Sequence, residues 1–469
     1  MSSRSSLPAG DDVLSVRDGM LFLEDVNVCY LATTYGTPLY VLSEAQLRVN
    51  IRSWADAAAQ MWPHGPTLVM PSLKANTSPA LRAILNEEGA GCDVFGPGEL
   101  ELALRSGVRP ERVSLNGATK SDALLRRAFG AGVAVTLDSA DEFERARLIA
   151  KDLDLIGRIR FRLRPWLPGT TAVSDFDPEG GLAYMSIQEY RAGMPTQDVA
   201  DCLVAAVADE HLDPVGLHAH ASRQTTDLVF WEAYARNIGA ECARLAALSP
   251  EWRPREIDLG GGFAVPRDPT GRPYPVEPVI APTPAEYMAA LSHGLSAGVA
   301  SGGMSPAGIT LQVEPGRSVY GNAGIHLTTV LNIKHQDRPQ PRTWIETDTS
   351  ESFLGDTIIE RNSWTVVLAD EPDRIERMDA AVTGISCGFD LLVPTKPQPK
   401  VVVGETLAVL DTGAYQDATA NNFNAMPRPA SVLVSGKESR LIRRRETLED
   451  IMARDVVVDP RPGDLQPAI

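Results

Sequence analysis

The 469-residue chain reads as an α/β protein, a (β/α)8 TIM barrel joined to a C-terminal, mostly β domain that the N-terminal strands complete. Three observations predict this. Between about positions 67 and 314, short β-like runs alternate with helical stretches, the arithmetic of a barrel that needs roughly 250 residues. Beyond Glu314 the helical periodicity fades, and β runs separated by Gly and Pro take over. The first 45 residues are β-like but too short to fold alone, so they should join the later sheet. The expected boundaries are 46–324 for the barrel, with 1–45 and 325–469 forming the β-rich domain.

The expected barrel strands are Thr67–Leu73, Gly91–Phe95, Val113–Asn116, Val133–Asp138, Arg158–Arg164, Val215–His220, Glu256–Gly260 and Ile309–Glu314. Helix starts fall between them. Ser139-Ala140-Asp141-Glu142 has the spacing of a capping box, and Thr283-Pro284-Ala285-Glu286 adds Pro in the first turn. An open doubly wound sheet is the competing architecture. In the second domain Val366–Leu368, Val401–Val403, Ala408–Leu410 and Ser431–Val434 read as strands. Residues 165–195 form a long polar insertion after the fifth strand, and Arg461–Ile469 reads as a frayed tail.

Composition narrows the functional class. Apolar residues make up 43% and charged residues 22%, enough for a sizeable core. Lys and Arg number 44 against 61 Asp and Glu, a net charge of −17 with no basic block to offset it, which argues against a nucleic-acid or anionic-membrane partner. No apolar run approaches the roughly 18 residues of a spanning helix, and the N-terminal segment lacks the apolar stretch of a secretory signal. A cytoplasmic protein is expected. The five cysteines (29, 92, 202, 242 and 387) have no paired spacing, which argues against a disulfide framework and against a zinc site; no metal is expected.

Catalytic groups of such a barrel sit at the C-terminal ends of its strands. There the sequence places Lys74 after the first strand, Asp93 on the second, His218 and His220 at the end of the sixth, Gly260-Gly261-Gly262 after the seventh, and Glu314-Pro315-Gly316-Arg317 after the eighth. A lysine amine can attack a carbonyl, glycine N–H groups can close on phosphate oxygens, and an imidazole can stack on a planar ring. A phosphorylated cofactor with a carbonyl and a heteroaromatic ring would use all of them. If that cofactor is pyridoxal 5′-phosphate, Glu314 beside the pyridine nitrogen keeps the nitrogen protonated and the ring an electron sink, which suits decarboxylation. Taken singly, each residue has an ordinary alternative: a surface lysine, a tight turn, a packed core histidine, a salt-bridging glutamate.

Taken together, the motifs resemble those of the pyridoxal-phosphate-dependent diaminopimelate/ornithine decarboxylase family. They are SLKANTSP (72–79), GAGCDVFGPGEL (89–100), LHAHASRQ (217–224), DLGGGF (258–263), VEPGRSVYGNAG (313–324), SCGFD (386–390) and DTGAYQDATANNFNAMPRP (411–429). The resemblance implies an amino-acid decarboxylase working through an external aldimine and a quinonoid, with a racemase or epimerase on the same barrel and cofactor as the alternative. It implies that Lys74 holds the cofactor, assisted by Asp93, His220, Arg223, Gly261, Gly262, Glu314, Gly316, Arg317 and Tyr415. Arg317, Asp348, Asp390 and Tyr415 would contact substrate. Cys387 would protonate Cα across a homodimer interface that shares the active sites, whereas read alone it is a small buried hydrophobe.

Three departures bear on substrate. Cys387 is followed by Gly388, and Asp390 lies three residues on rather than four. The segment IETDTSESFLGD (345–356) lacks the Arg and Tyr that diaminopimelate decarboxylases use on the distal carboxylate, and offers Glu346, Asp348, Glu351 and Asp356 instead. Ser222-Arg223 replaces the usual Gly-Ser pair. The expected substrate is therefore a basic amino acid or a derivative of one.

Overall fold

In the computed structural model the residues described are 13–164, 191–220, 225–266, 281–359 and 364–456. Each of the eight expected runs overlaps a parallel strand: Thr67–Val69, Cys92–Val94, Val113–Leu115, Ala134–Leu137, Gly157–Arg162, Leu212–His218, Glu256–Asp258 and Thr310–Val313. Their order runs unbroken from Thr67–Val69 through Thr310–Val313 and back down to Cys92–Val94. A parallel bridge between Ser72 and Asp93 then joins the two ends, closing the barrel just below Lys74. The doubly wound alternative is thereby excluded.

The local chemistry explains the elements. Ser43 and Ser121 accept the N–H of Gln46 and Leu124 and cap the helices Glu44–Met61 and Asp122–Ala131. Pro79, Pro97 and Pro284 stand in first turns, where a missing N–H costs nothing. The capping box at Thr283–Glu286 forms in full. The one expected at Ser139–Glu142 forms by half: Ser139 accepts the Glu142 N–H, but the Glu142 carboxylate turns to the buried Lys120 ammonium at 3.0 Å and to the N–H groups of Lys120 and Asp138. A buried cation outcompetes a backbone N–H for a carboxylate.

The second domain is a nine-stranded sheet. Its middle strand Gly324–Gln336 lies antiparallel to Leu39–Ser43, which runs parallel to Ala430–Ser435. The N-terminal segment thus completes the domain through Leu39–Ser43. Residues 14–27 correct the expectation, because they form a separate three-stranded sheet instead of joining the large one. Its hairpin turns on Asp18-Gly19, both at positive φ (49° and 76°), the geometry of a tight two-residue turn. Its side chains Leu21 and Leu23 pack into a core with Leu39, Val41, Ile325 and Val432. Val401–Val403 is no strand: Val402 donates its N–H to the Glu405 side chain in a turn through Gly404 at φ 96°, and pairing begins at Thr406. Most of the insertion (165–190) and the tail lie outside the described residues.

Candidate active site

Lys74 sits on a single 3-10 turn, Leu73–Ala75, that leaves the first strand at the barrel mouth. Its amine is 5.9 Å from the centroid of the Phe95 ring. Water can reach the side chain, yet protein encloses it so densely that burial is the largest influence on the amine and pushes its pKa down. Asp93, Tyr415, Glu314 and Glu99 together outweigh that effect and hold it above the ordinary lysine value. Lys74 is therefore a solvent-accessible amine at the barrel mouth under the influence of several acidic groups.

Glu314 closes the eighth strand and is buried. Asn116, at the end of the third strand, donates from one amide nitrogen to Glu314 Oε1 at 2.5 Å and to Asp93 Oδ1 at 2.7 Å. Ser72 Oγ donates to the other Asp93 oxygen at 2.5 Å. Burial, then the Asp93 charge, push the Glu314 carboxyl up, while Lys74 pulls it down. His218 Nε2 lies 3.5 Å from Glu314 Oε2, and burial holds its imidazole neutral, down to about 3 despite Asp258. His218, Asp258 and Glu314 bring one ligand atom each within 4.8 Å of one another, a convergence that the spacing of the two histidines did not reveal. Asp258 is raised by burial and then by Glu314.

His220 stands at the rim, where Nδ1 accepts the Gly261 N–H at 3.2 Å. Gly260 and Gly262 have positive φ (69° and 101°), and a Cβ on Gly261 would lie 2.2 Å from the Glu314 carbonyl oxygen. Glycine alone lets this turn press against the strand end. Tyr415 comes from the β domain at φ 63° and anchors there by donating its N–H to the Ala75 carbonyl at 2.6 Å. A Cβ on Gly316 would stand 2.5 Å from the Tyr415 hydroxyl. Arg317 stacks over the Tyr415 ring, 5.0 Å from its centroid, and pairs with buried Asp356 at 2.7 Å.

Lys74, Asp93, His220, Gly261, Gly262, Glu314, Gly316, Arg317 and Tyr415 thus form one continuous neighbourhood, and Arg223 lies outside the described residues. Two expected substrate contacts are engaged elsewhere. Asp348 binds Thr37, Thr328 and the Thr329 N–H, bracing the β domain. Asp390 accepts the N–H groups of Glu351 and Ser386 and braces the loop that carries Cys387. Cys387 is exposed, its N–H bonded to Asn424, and so is not the buried hydrophobe it resembles in isolation.

Sequence reasoning missed Asn116 and the polar layer beneath the mouth. There Arg160 binds Glu256 at 2.8 Å and Ser114 at 2.5 Å, and Arg162 lies 3.9 Å from Asp138. The signal was available, since Arg160 and Arg162 alternate with Ile159 and Phe161 along one strand.

A family model described as the pyridoxal binding domain of pyridoxal-dependent decarboxylases matches residues 45–321, more than half of the chain. The chain belongs to that family. Diaminopimelate decarboxylase of Pseudomonas aeruginosa is 30% identical over 94% of this chain and 98% of its own. The crystal structure of the M. jannaschii diaminopimelate decarboxylase with L-lysine is similar at TM-score 0.86 and 26% identity, covering 95% of this chain and 98% of that one. A lysine/ornithine decarboxylase of Vibrio vulnificus shares the fold, at TM-score 0.68 and 18% identity over 87% of this chain and 97% of its own.

The protein is a pyridoxal-phosphate-dependent amino-acid decarboxylase. Its own residues fit that cofactor. The Lys74 amine feels the buried Glu314 carboxylate at the barrel mouth, and Gly261 and Gly316 beside it put no side chain there, a Cβ on either clashing with the Glu314 carbonyl oxygen or the Tyr415 hydroxyl. Among the described residues no helix is long and apolar enough to cross a membrane.

Proposed function

We propose that the protein removes the α-carboxylate of a basic amino acid or a derivative of one, with Lys74 as the residue that carries pyridoxal phosphate. The supporting observation is the joint placement of Lys74 and Glu314, linked through Asp93 and Asn116. When bound, the cofactor supplies an electron sink for the pair released as the Cα–carboxylate bond breaks. The chain does the rest. Glu314 would hold a proton on the ring nitrogen, and its bond from Asn116 fixes the direction of that carboxylate. His220 would lie against the ring face and Asp93 beside the Lys74 amine. Gly261, Gly262, Gly316, Tyr415 and Arg223 would surround the phosphate. Arg317 and Tyr415 would line the substrate side. Lys74 Nζ would receive or return a proton at Cα.

Cys387 is the second proton donor in this reading, delivered by another copy of the chain. Its loop supports this: Phe389 is 98% exposed and Ile385 and Leu391 are partly exposed, an apolar surface suited to self-association. Homodimers with shared sites are therefore proposed, in the cytoplasm. Phe389→Asp should convert the sedimenting species to monomer and abolish turnover; a monomeric wild type with full activity would defeat the dimer.

The main experiment has two parts. Borohydride reduction of the yellow holoprotein, followed by peptide mapping, should label Lys74, and Lys74→Ala should be colourless and inactive. A panel of diaminopimelate, ornithine, lysine, arginine and acidic amino acids is then assayed for CO2. A label elsewhere, or products that all keep their carboxylate, would sink the reading.

A further inference from the structure

Of the four carboxylates offered by residues 346–356, one touches the residues around Lys74 of the same chain. Glu346 bonds Asn332 and faces a groove of the β domain, Asp348 braces threonines, and Glu351 packs beside Gly388. Asp356 instead binds Arg317 Nη2 at 2.7 Å, with both side chains less than a tenth exposed. Gln416 donates to the same oxygen at 3.1 Å, and its carbonyl receives the Asp356 N–H at 3.4 Å. Gln416 follows Tyr415, and Arg317 follows Gly316, so the pair is pinned against Tyr415, whose N–H is bonded to Ala75 next to Lys74.

A buried guanidinium beside a substrate site is a receptor for a carboxylate. Here that role is filled from within the chain. A distal carboxylate on the substrate would have to share Arg317 and lie beside the Asp356 charge in a poorly solvated place. A neutral or cationic tail meets no such opposition. We propose that Asp356 determines specificity: it occupies the anion position of Arg317 and restricts the enzyme to amino acids whose side chain carries no distal carboxylate. This rests on the decarboxylase reading above and sharpens its substrate class.

The test compares wild type, Asp356→Asn and Asp356→Glu as holoenzymes, measuring kcat/KM for CO2 release from lysine, norleucine and diaminopimelate. Wild type should prefer lysine or norleucine to diaminopimelate at least tenfold. Asp356→Asn should shift that ratio at least tenfold toward diaminopimelate, and Asp356→Glu should restore it. A ratio is insensitive to partial unfolding, so a merely structural Asp356 would leave it unmoved. A wild type that prefers diaminopimelate, or a ratio indifferent to Asn, overturns the proposal. A separate calorimetric titration with glutarate decides it without turnover. Binding at least tenfold tighter in Asp356→Asn than in wild type supports it, and equal binding overturns it. If no amino acid releases CO2, the decarboxylase reading fails on its own, and the glutarate result still judges Asp356.

Discussion

Asn116→Ala removes the one side chain that ties both buried carboxylates of the site together. Its amide nitrogen has two hydrogens and uses both, toward Asp93 at 2.7 Å and Glu314 at 2.5 Å. Each is a bond to a group that ionises, worth about 1.5–3 kcal/mol, so their joint loss should cost about 3 kcal/mol at the lower figure. At about 2 °C per kcal/mol for a domain of this size, the cofactor-free protein should melt about 6 °C lower in a calorimetric scan. The pH profile should move too. A donor to a carboxylate favours its charged form, and 1.36 kcal/mol corresponds to about one pKa unit. Loss of this donor should push the already raised Glu314 carboxyl higher still, and the acid limb of kcat/KM should move to higher pH. Asn116→Asp, nearly the same shape but with a third carboxyl, should be at least as damaging. A melting temperature within about 1 °C of wild type, with an unmoved acid limb, would refute the reasoning.

Other outcomes follow from the same geometry. Gly316→Ala forces a methyl within 2.5 Å of the Tyr415 hydroxyl, so cofactor affinity should fall at least tenfold in an absorbance titration while the far-ultraviolet dichroism stays unchanged. Glu142→Gln leaves the buried Lys120 ammonium without its counter-charge and should destabilise by about 3 kcal/mol; Lys120→Met with Glu142→Leu should recover part of that loss in urea melts. Burial holds His218 down to about 3, below its unfolded value near 6.5. Its contribution to stability is thus present above pH 6.5 and lost as pH falls toward 3, by up to about 1.4 kcal/mol per unit. His218→Asn should flatten that acid slope, and an identical slope in both proteins would show the imidazole to be solvated.

The barrel was legible because its short, largely buried strands recur between helical stretches at regular spacing, and all eight expected runs overlap a strand. The β domain was less so. Leu391–Pro399 holds Pro394 and Pro397, which a sheet tolerates at its edge, and this strand is the outermost of its sheet. Glu438–Arg443 is exposed and charged, and the second half of Gly324–Gln336 is largely exposed, leaving no clear apolar alternation to read. At the site, the motif residues at the ends of the first, seventh and eighth strands, Lys74, Gly261 and Glu314, lie at one barrel mouth because parallel strands of a barrel end on the same side. Asp348 and Asp390 could not be resolved from sequence because a carboxylate in a loop serves equally well as a brace for backbone N–H groups, the use both have here within the chain. Asn116 went unseen because a single amide at a strand end carries no pattern of its own.

Leu39–Ser43 leads directly into the first barrel helix, and Gly324–Gln336 begins where the barrel ends, yet these two strands are hydrogen-bonded neighbours, Gly324 opposite Leu42 and Leu327 opposite Leu39. Some 280 residues therefore leave and return through a single stapled doorway. Entry and exit chains held side by side cannot swivel independently, so the barrel is fastened against rotation about its stem. That fastening is what lets a tyrosine from one unit find the same backbone carbonyl of the other each time the protein folds.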